Sequence, residues 1–292
     1  MRNLWTRVSR IKDNEGGCRS FRISYVGLVI NASKMKIKLL LLIGILLLSG
    51  ALVPDAAEQG GADKRSGSWT SFVYIARSLG IPILRASLKI ENGSFEQRRP
   101  ICEIQARIDT LNLAFFFRAN NRFASVIETD TFSPIRYVKE IDQKGLLTGR
   151  KNYVQTLSFD TANRKVVVEQ RGQKERKEIS IPSNTYDPLS MFARYYLKEP
   201  LQPDQDIRMS IYDGVKLRDM VFRSKMERVT TKLYGEIEAV CLESTTSFSA
   251  FGDKEGMIRI WYSADGKKTP VSMELELPMG SVRFDLDGIE KS

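Results

Sequence analysis

Carboxylates are the candidate side chains for acid–base chemistry, since the chain contains no histidine but could still use Asp and Glu. That absence excludes Ser-His-Asp and Cys-His catalysis and the usual histidine-based zinc sites. Glu274 and Glu276 lie two residues apart, so on a strand they share one face and could act as acid and base on a sugar. Such pairs more often belong to a solvated sheet face. We therefore predict no catalytic residues and lean against an enzyme.

Three aspartates have backbone explanations. Asp187 precedes Pro188, which is the order of a helix N-cap followed by proline at the first helical position. Asp213 and Asp265 each precede a glycine, where aspartate is favoured in turns. The sequence has no Asp-rich loop for calcium, no phosphate-binding glycine loop and no G-x-S-x-G motif. We expect no metal and no cofactor.

Cys102 and Cys241 leave two interpretations open. In an oxidising compartment they can pair, and closing so long a loop would stabilise the fold by roughly 5 kcal/mol on the chain-entropy model. Alternatively they are two buried thiols on separate strands, which behave as small apolar residues. Spacing alone does not bring two sulfur atoms together.

A secretory signal peptide is predicted at residues 35–57. It has a basic start at Lys36 and Lys38, an apolar run over 39–48, and small residues at Ser49 and Ala51 that fit the −3 and −1 positions of a cleavage site. The alternative is an uncleaved signal anchor, which would associate the protein with the membrane, although the uncharged stretch is short for spanning a bilayer. Both interpretations start the protein at Met35 and place it in the periplasm or cell envelope.

The remaining boundaries follow from this leader. Residues 1–34 are interpreted as an over-extended N-terminus, 58–68 as a Gly- and Ser-rich linker, and 69–292 as a single β-rich domain. The net charge of +10 lies mostly before the domain, since residues after 57 carry only about +4. A modest, mixed charge indicates an ordinary solvated surface, and we predict no nucleic-acid partner.

Two-residue alternation of apolar and polar side chains dominates the domain. It is clearest over 207–211, 271–277 and 282–286, and it is typical of half-buried antiparallel strands. Asp213-Gly214, Asp265-Gly266 and Met279-Gly280 predict hairpin turns between such strands. We therefore predict a mainly β fold, a strongly curved antiparallel sheet or barrel-like meander of about eleven to thirteen strands with one or two short helices.

One helix is predicted after Asp187, because Leu189, Phe192, Ala193 and Tyr196 share a face at three- and four-residue spacing. The run 111–117 is predicted to be a second short helix, with a strand as the alternative. A helix across a curved sheet can leave an apolar groove that shelters an acyl chain, whereas the alternative is that the aromatic side chains fill the core. The candidate groove residues are Phe115, Phe116, Phe117, Tyr195, Tyr196, Trp261 and Tyr262.

The order of several short motifs resembles a bacterial family called domain of unknown function 3108. The motifs are Tyr74 with Leu79-Gly80-Ile81-Pro82, then Glu128-Thr-Asp130, Phe132-Ser-Pro134, Asp187-Pro-Leu-Ser, Tyr212-Asp213-Gly214, Met257-Ile-Arg-Ile-Trp261, Asp265-Gly266 and Gly280-Ser-Val. The resemblance spans roughly residues 69–288. It implies a secreted or envelope protein with an antiparallel β fold, and it carries over no catalytic residues.

These observations predict an exported, non-catalytic envelope protein that binds an amphiphilic or lipid-like ligand or an envelope component. The alternative is a structural or assembly protein that contacts an envelope protein partner through a sheet edge or aromatic patch. A carboxylate-based hydrolase is the third hypothesis.

Overall fold

The computed structural model of the chain describes residues 68–96, 99–112, 117–145, 149–248, 254–277 and 280–292. All described residues lie within the unit Lys38–Ser292. The predicted N-terminal extension and signal peptide, and the linker as far as residue 67, lie outside the described residues.

The described residues form fifteen strands and one α-helix. The first eight strands are β1 (Trp69–Ser78), β2 (Ile81–Glu96), β3 (Arg99–Thr110), β4 (Phe117–Glu128), β5 (Pro134–Gly145), β6 (Gly149–Asp160), β7 (Lys165–Gln170) and β8 (Arg176–Ser180). The later elements are β9 (Thr185–Tyr186), the helix α1 (Pro188–Leu197), β10 (Asp206–Tyr212), β11 (Leu217–Thr231), β12 (Gly235–Phe248), β13 (Lys254–Ser263), β14 (Pro270–Leu277) and β15 (Gly280–Lys291).

All fifteen strands belong to one curved, unclosed sheet with the order β8-β7-β6-β5-β4-β3-β2-β1-β15-β14-β13-β12-β11-β10-β9. Strands β1–β8 form an N-terminal arm and β9–β15 a C-terminal arm, and the two arms join where β1 pairs with β15. Neighbours are antiparallel except for β9 and β10, which are parallel. The predicted antiparallel meander is confirmed, with more strands than expected.

The predicted turns are present where the structure describes them. Asp213-Gly214 joins β10 to β11, and Asp265-Gly266 lies between β13 and β14. Gly214 and Gly266 have φ angles of 86° and 78°, a region that costs a residue with a Cβ atom about 1 kcal/mol or more. Met279 lies outside the described residues, and Gly280 opens β15.

The helix α1 is confirmed together with its N-cap. The Asp187 carboxylate accepts hydrogen bonds from the backbone nitrogens of Leu189 (2.8 Å) and Ser190 (3.1 Å), and the Ser190 hydroxyl accepts one from the Asp187 nitrogen (2.9 Å). This reciprocal capping box satisfies donors that the first helical turn would otherwise leave unpaired. Most of the predicted second helix, residues 113–116, lies outside the described residues, and Phe117 begins β4.

Helix α1 packs on one face of the sheet, called here the core face. Phe192 lies 5.9 Å from the Tyr262 ring of β13, and Tyr196 makes an edge-to-face contact at 5.3 Å with Phe72 of β1. Buried side chains of both arms surround the helix. A second, smaller apolar cluster is formed mainly by side chains of β5–β8. Within the described ranges, no helix has the length and apolar character needed to cross a membrane.

Candidate functional site

Most of the aromatic residues predicted to line an apolar groove lie in the core around α1. Phe117, Tyr195 and Tyr262 are buried, and Tyr196 is half-buried against Phe72. These side chains fill the space between the helix and the core face, which is the alternative that the sequence had left open. Phe115 and Phe116 lie outside the described residues.

Trp261 is separated from this helix cluster. The paired residues Ile260 and Leu242 are buried on the core face, so Trp261 and its partner Cys241 point to the opposite side, called here the outer face. The indole nitrogen of Trp261 donates to Glu227 at 2.6 Å, and the Arg283 guanidinium lies 5.0 Å from the ring centre. Trp261 is therefore part of a packed outer layer on the C-terminal arm.

Cys102 and Cys241 are both free, buried thiols, so the structure does not contain the disulfide considered from the sequence. Cys102 lies on β3 and Cys241 on β12, strands that are not neighbours in the sheet. Their side chains also point differently: Cys102 shares the core face with Ile104, whereas Cys241 points to the outer face. Burial raises the pKa of each thiol to about 12, which keeps both protonated and unreactive at neutral pH.

The carboxylates considered for catalysis have structural partners. Glu274 and Glu276 lie 3.6 Å and 3.0 Å from the Arg259 guanidinium. Asp187 is fully buried, and burial raises the pKa of its carboxyl, opposed by hydrogen bonds from Ser125 and from the helix start. Among the described residues, no group of three or more Cys, Asp or Glu side chains could hold a metal ion.

The tip of the β10–β11 hairpin docks on the core face of the N-terminal arm. The Lys139 ammonium donates to the Asp213 carbonyl at 3.0 Å, and the Gln155 amide donates to the Gly214 carbonyl at 3.4 Å. Burial lowers the pKa of Lys139. This contact, called here the hairpin joint, ties the two arms together, and the turn motif alone did not indicate it.

An open groove lies on the outer face of β1–β5, with a volume of about 550 Å³. Strand register explains it as two adjacent rows of side chains. One row is Ser71, Lys89, Gln105, Ala124 and Val138, and the other is Ser87, Arg107, Arg122 and Glu140. Ala106 and Phe123 complete the lining of this outer groove.

The outer groove combines charged walls with a small apolar floor. Ala124 and Val138 are directly opposite each other on β4 and β5, and Arg122 and Glu140 occupy the equivalent places one row away. The lining includes two serines but no histidine, since the chain has none. The arrangement suits non-covalent binding of a molecule with both polar and apolar parts.

The sequence patterns singled out none of these residues, most of which lie on the outer face, although Ala106 and Phe123 pair on the core side of their strands. Their grouping depends on pairing across five strands, and register shifts between Asn92 and Ser94 and between Val126 and Ile127 limit where the rows align. A shift of one residue would turn each side chain to the other face. No sequence motif predicts how the two rows of side chains align across the strands.

Comparison with known proteins gives a matching family model and several matching solved structures. No curated protein matches the sequence. A crystal structure titled as a beta-barrel-like protein of domain of unknown function DUF1849 from Brucella abortus is similar at 9% identity and a TM-score of 0.49, covering 78% of this chain and 99% of that one. The model of the family "Protein of unknown function (DUF3108)" matches residues 70–287. The chain therefore belongs to the DUF3108 family.

Proposed function

We propose that the protein is a non-catalytic component of the bacterial envelope that binds an amphiphilic ligand in the outer groove. The observation that carries this proposal is the groove itself, with about 550 Å³ of space and a mixed lining. Small-molecule sites commonly have volumes of 300–1,000 Å³ and a few polar groups that orient the ligand.

The aromatic residues around α1 are not the proposed site, because their own packing already buries them. A ligand there would have to displace core side chains, each of which contributes about 1.5–3 kcal/mol by being buried. A ligand in the outer groove displaces only solvent. Each methylene that it moves out of water contributes about 0.8 kcal/mol, so a hydrocarbon chain gains affinity without any reactive group.

Export is part of the proposal and is supported by the leader at residues 35–57. N-terminal sequencing of the protein recovered from fractionated cells tests it. We expect a periplasmic or envelope form beginning at Leu52, the residue after the predicted −1 position. A cytosolic protein that begins at residue 1 would contradict export while leaving the groove unaffected.

Ligand binding is tested by native mass spectrometry of protein purified from its own cells without detergent. Ala124→Trp places a large side chain on the apolar floor, and Ser158→Trp adds the same side chain to an exposed outer-face position of β6 outside the groove. We expect a co-purifying amphiphile with wild type and Ser158→Trp and its loss with Ala124→Trp. An equal ligand load in all three proteins would show that the ligand binds elsewhere.

A second candidate function is assembly with another envelope protein. Leu79 and Ile81, at the β1–β2 turn, are 70% and 58% exposed, which is unusual for two large apolar side chains at one tip. Crosslinking in intact cells tests this function. A partner that is captured by wild type and lost in Leu79→Ser/Ile81→Ser would support it, and an unchanged crosslinking pattern would oppose it.

A further inference from the structure

The outer groove contains an unusual alignment of positive charges. Arg107 on β3 and Arg122 on β4 are directly opposite each other, and Lys89 on β2 lies one row away from Arg107 on the same face. Like charges directly opposite each other on a sheet are destabilising. The alignment therefore costs the free protein stability unless another group neutralises it.

Carboxylates outside the lining neutralise two of the three cations. Lys89 lies 2.9 Å from Glu91, and Arg107 lies 2.7 Å from Asp109, each two residues along its own strand. For Arg122, no carboxylate of the described residues lies within 4.0 Å. Its guanidinium remains available on the groove surface.

Glu140 is the carboxylate among the lining residues, and it faces Arg122 across the β4–β5 pair. No oxygen of the Glu140 carboxylate lies within 4.0 Å of a nitrogen of the Arg122 guanidinium. Arg122 is therefore the cation of the lining that has no carboxylate partner among the described residues, and its exposed guanidinium is the group to which an anion can bind.

We propose that the ligand of the outer groove is an anionic amphiphile, an inference that rests on the proposed function. Its phosphate or carboxylate binds Arg122 and Arg107, and its hydrocarbon chain lies over Ala124 and Val138. A guanidinium donates two parallel hydrogen bonds to such an anion, and a bound anion gives Arg122 the charged partner that the described residues do not supply. Glu140 opposes the anion, so it weakens binding of ligands that carry only negative charge.

Titration calorimetry with monomeric lysophospholipids tests this assignment. Lysophosphatidylglycerol is the anionic probe, lysophosphatidylcholine the zwitterionic probe with a matched chain, and inorganic phosphate the probe without a chain. We expect the anionic lipid to bind about tenfold more tightly than the zwitterionic one, equivalent to about 1.4 kcal/mol, and phosphate to bind far more weakly than either.

Three variants locate the effect. Arg122→Gln is expected to remove the preference for the anionic lipid, whereas Glu140→Gln is expected to increase affinity for it. Arg150→Gln is the matched control, because it removes one exposed positive charge of β6 from outside the groove lining. The control should bind as wild type does. Thermal unfolding of each variant confirms that it is folded.

The outcomes separate the inference from the proposed function. Equal affinity for both lipids with no effect of Arg122→Gln would overturn the anionic assignment but leave an amphiphile site. Weaker binding of the anionic lipid by Glu140→Gln would also overturn it. Phosphate binding as tight as lipid binding would overturn the need for a chain and leave an anion site. Absence of binding by all probes would overturn both proposals.

Discussion

The outer faces of the two arms show opposite arrangements of charge. On the C-terminal arm, Lys225 lies 2.9 Å from Glu243, which lies 3.5 Å from Arg259, and Arg259 also contacts Glu274 and Glu276. Charges of opposite sign therefore alternate across β11–β14. On the N-terminal arm, two arginines oppose each other. The same meander thus produces a network of shared ion pairs in one arm, and a pair of opposed arginines of which one lacks a carboxylate partner in the other.

The outer faces of the two arms also differ in the size of the side chains that cover them. Trp261 lies in the outer layer of the C-terminal arm, between Glu227 and Arg283, and its cross-strand partner Cys241 is buried on the same face. The N-terminal arm has small residues, Ala124 and Val138, at the corresponding outer surface of its groove. Large side chains with alternating charges cover the outer face of the C-terminal arm, whereas small side chains leave space above the groove of the N-terminal arm.

The largest predicted effect comes from breaking the hairpin joint between the arms. A Cβ atom at Gly214 would lie 2.3 Å from the Gln155 Oε1 atom and 3.1 Å from the Leu157 Cδ1 atom, at a φ angle of 86°. Gly214→Ala should therefore lower the free energy of unfolding by about 2–3 kcal/mol, from backbone strain and overpacking together. Urea unfolding of the mature protein measures it.

Gly266→Ala is the matched control for that prediction. Gly266 has a similar φ angle of 78°, but a Cβ atom there has no neighbour within 4 Å. Its expected cost is about 1 kcal/mol, from backbone strain alone. Equal losses for the two variants would show that the hairpin joint contributes nothing beyond turn conformation.

An effect of intermediate size is predicted for the free energy of unfolding when one cation is removed from the outer face of either arm. Arg259→Met removes the cation that three carboxylates share, and should lower the free energy of unfolding by about 1–2 kcal/mol. Arg122→Met removes a cation without a carboxylate partner, and should change it by no more than about 0.5 kcal/mol. Urea unfolding in low salt compares the variants. An equal loss from both would contradict the contrast between closed and open faces.

The smallest predicted effect concerns Asp287, which links the arms on the outer face. Hydrogen bonds from Lys232 (2.8 Å) and Arg77 (3.1 Å) lower the pKa of Asp287 below its ordinary value of 3.8. Its stabilising contribution is therefore present above that pH and is lost as the pH falls through the lowered pKa. Asp287→Asn should cost a few tenths of a kcal/mol at pH 7, since both of its cationic partners are exposed to solvent, which screens the ion pairs.

The pH dependence of unfolding checks the Asp287 prediction. The difference between wild type and Asp287→Asn should be constant from pH 7 to pH 5 and should narrow below pH 4. A difference that grows as the solution becomes more acidic would have the wrong sign for a carboxyl whose pKa is lowered on folding.

Much of the fold follows from local patterns, and the exceptions have physical causes. In β15, Val282, Phe284 and Leu286 are buried and the residues between them are less buried, so its alternation is visible in the sequence. Strand β12 lacks it because the four residues from Ala239 to Leu242 are all buried, two against the core and two beneath the outer layer of the C-terminal arm. Strand β9 has only two residues, too few for any period.

The candidate site was harder to predict from the sequence than the fold. Consecutive aromatic residues such as Tyr195-Tyr196 suggested exposed apolar surface, but the curved sheet contacts α1 on more than one side and buries much of both. The outer groove brings together side chains from β1 to β5 that are ordinary polar positions in their own strands. Only the register of five strands brings them together.

Photo-crosslinking inside the native cell tests the central claim most directly. Val138→p-benzoylphenylalanine places a crosslinker on the floor of the outer groove, and Ser158→p-benzoylphenylalanine places it on the outer face of β6 outside the groove. We predict a covalent adduct with the mass of an amphiphile at position 138 and none at position 158. A folded protein that shows no such adduct at position 138, or the same adduct at both positions, would contradict a ligand site in the outer groove.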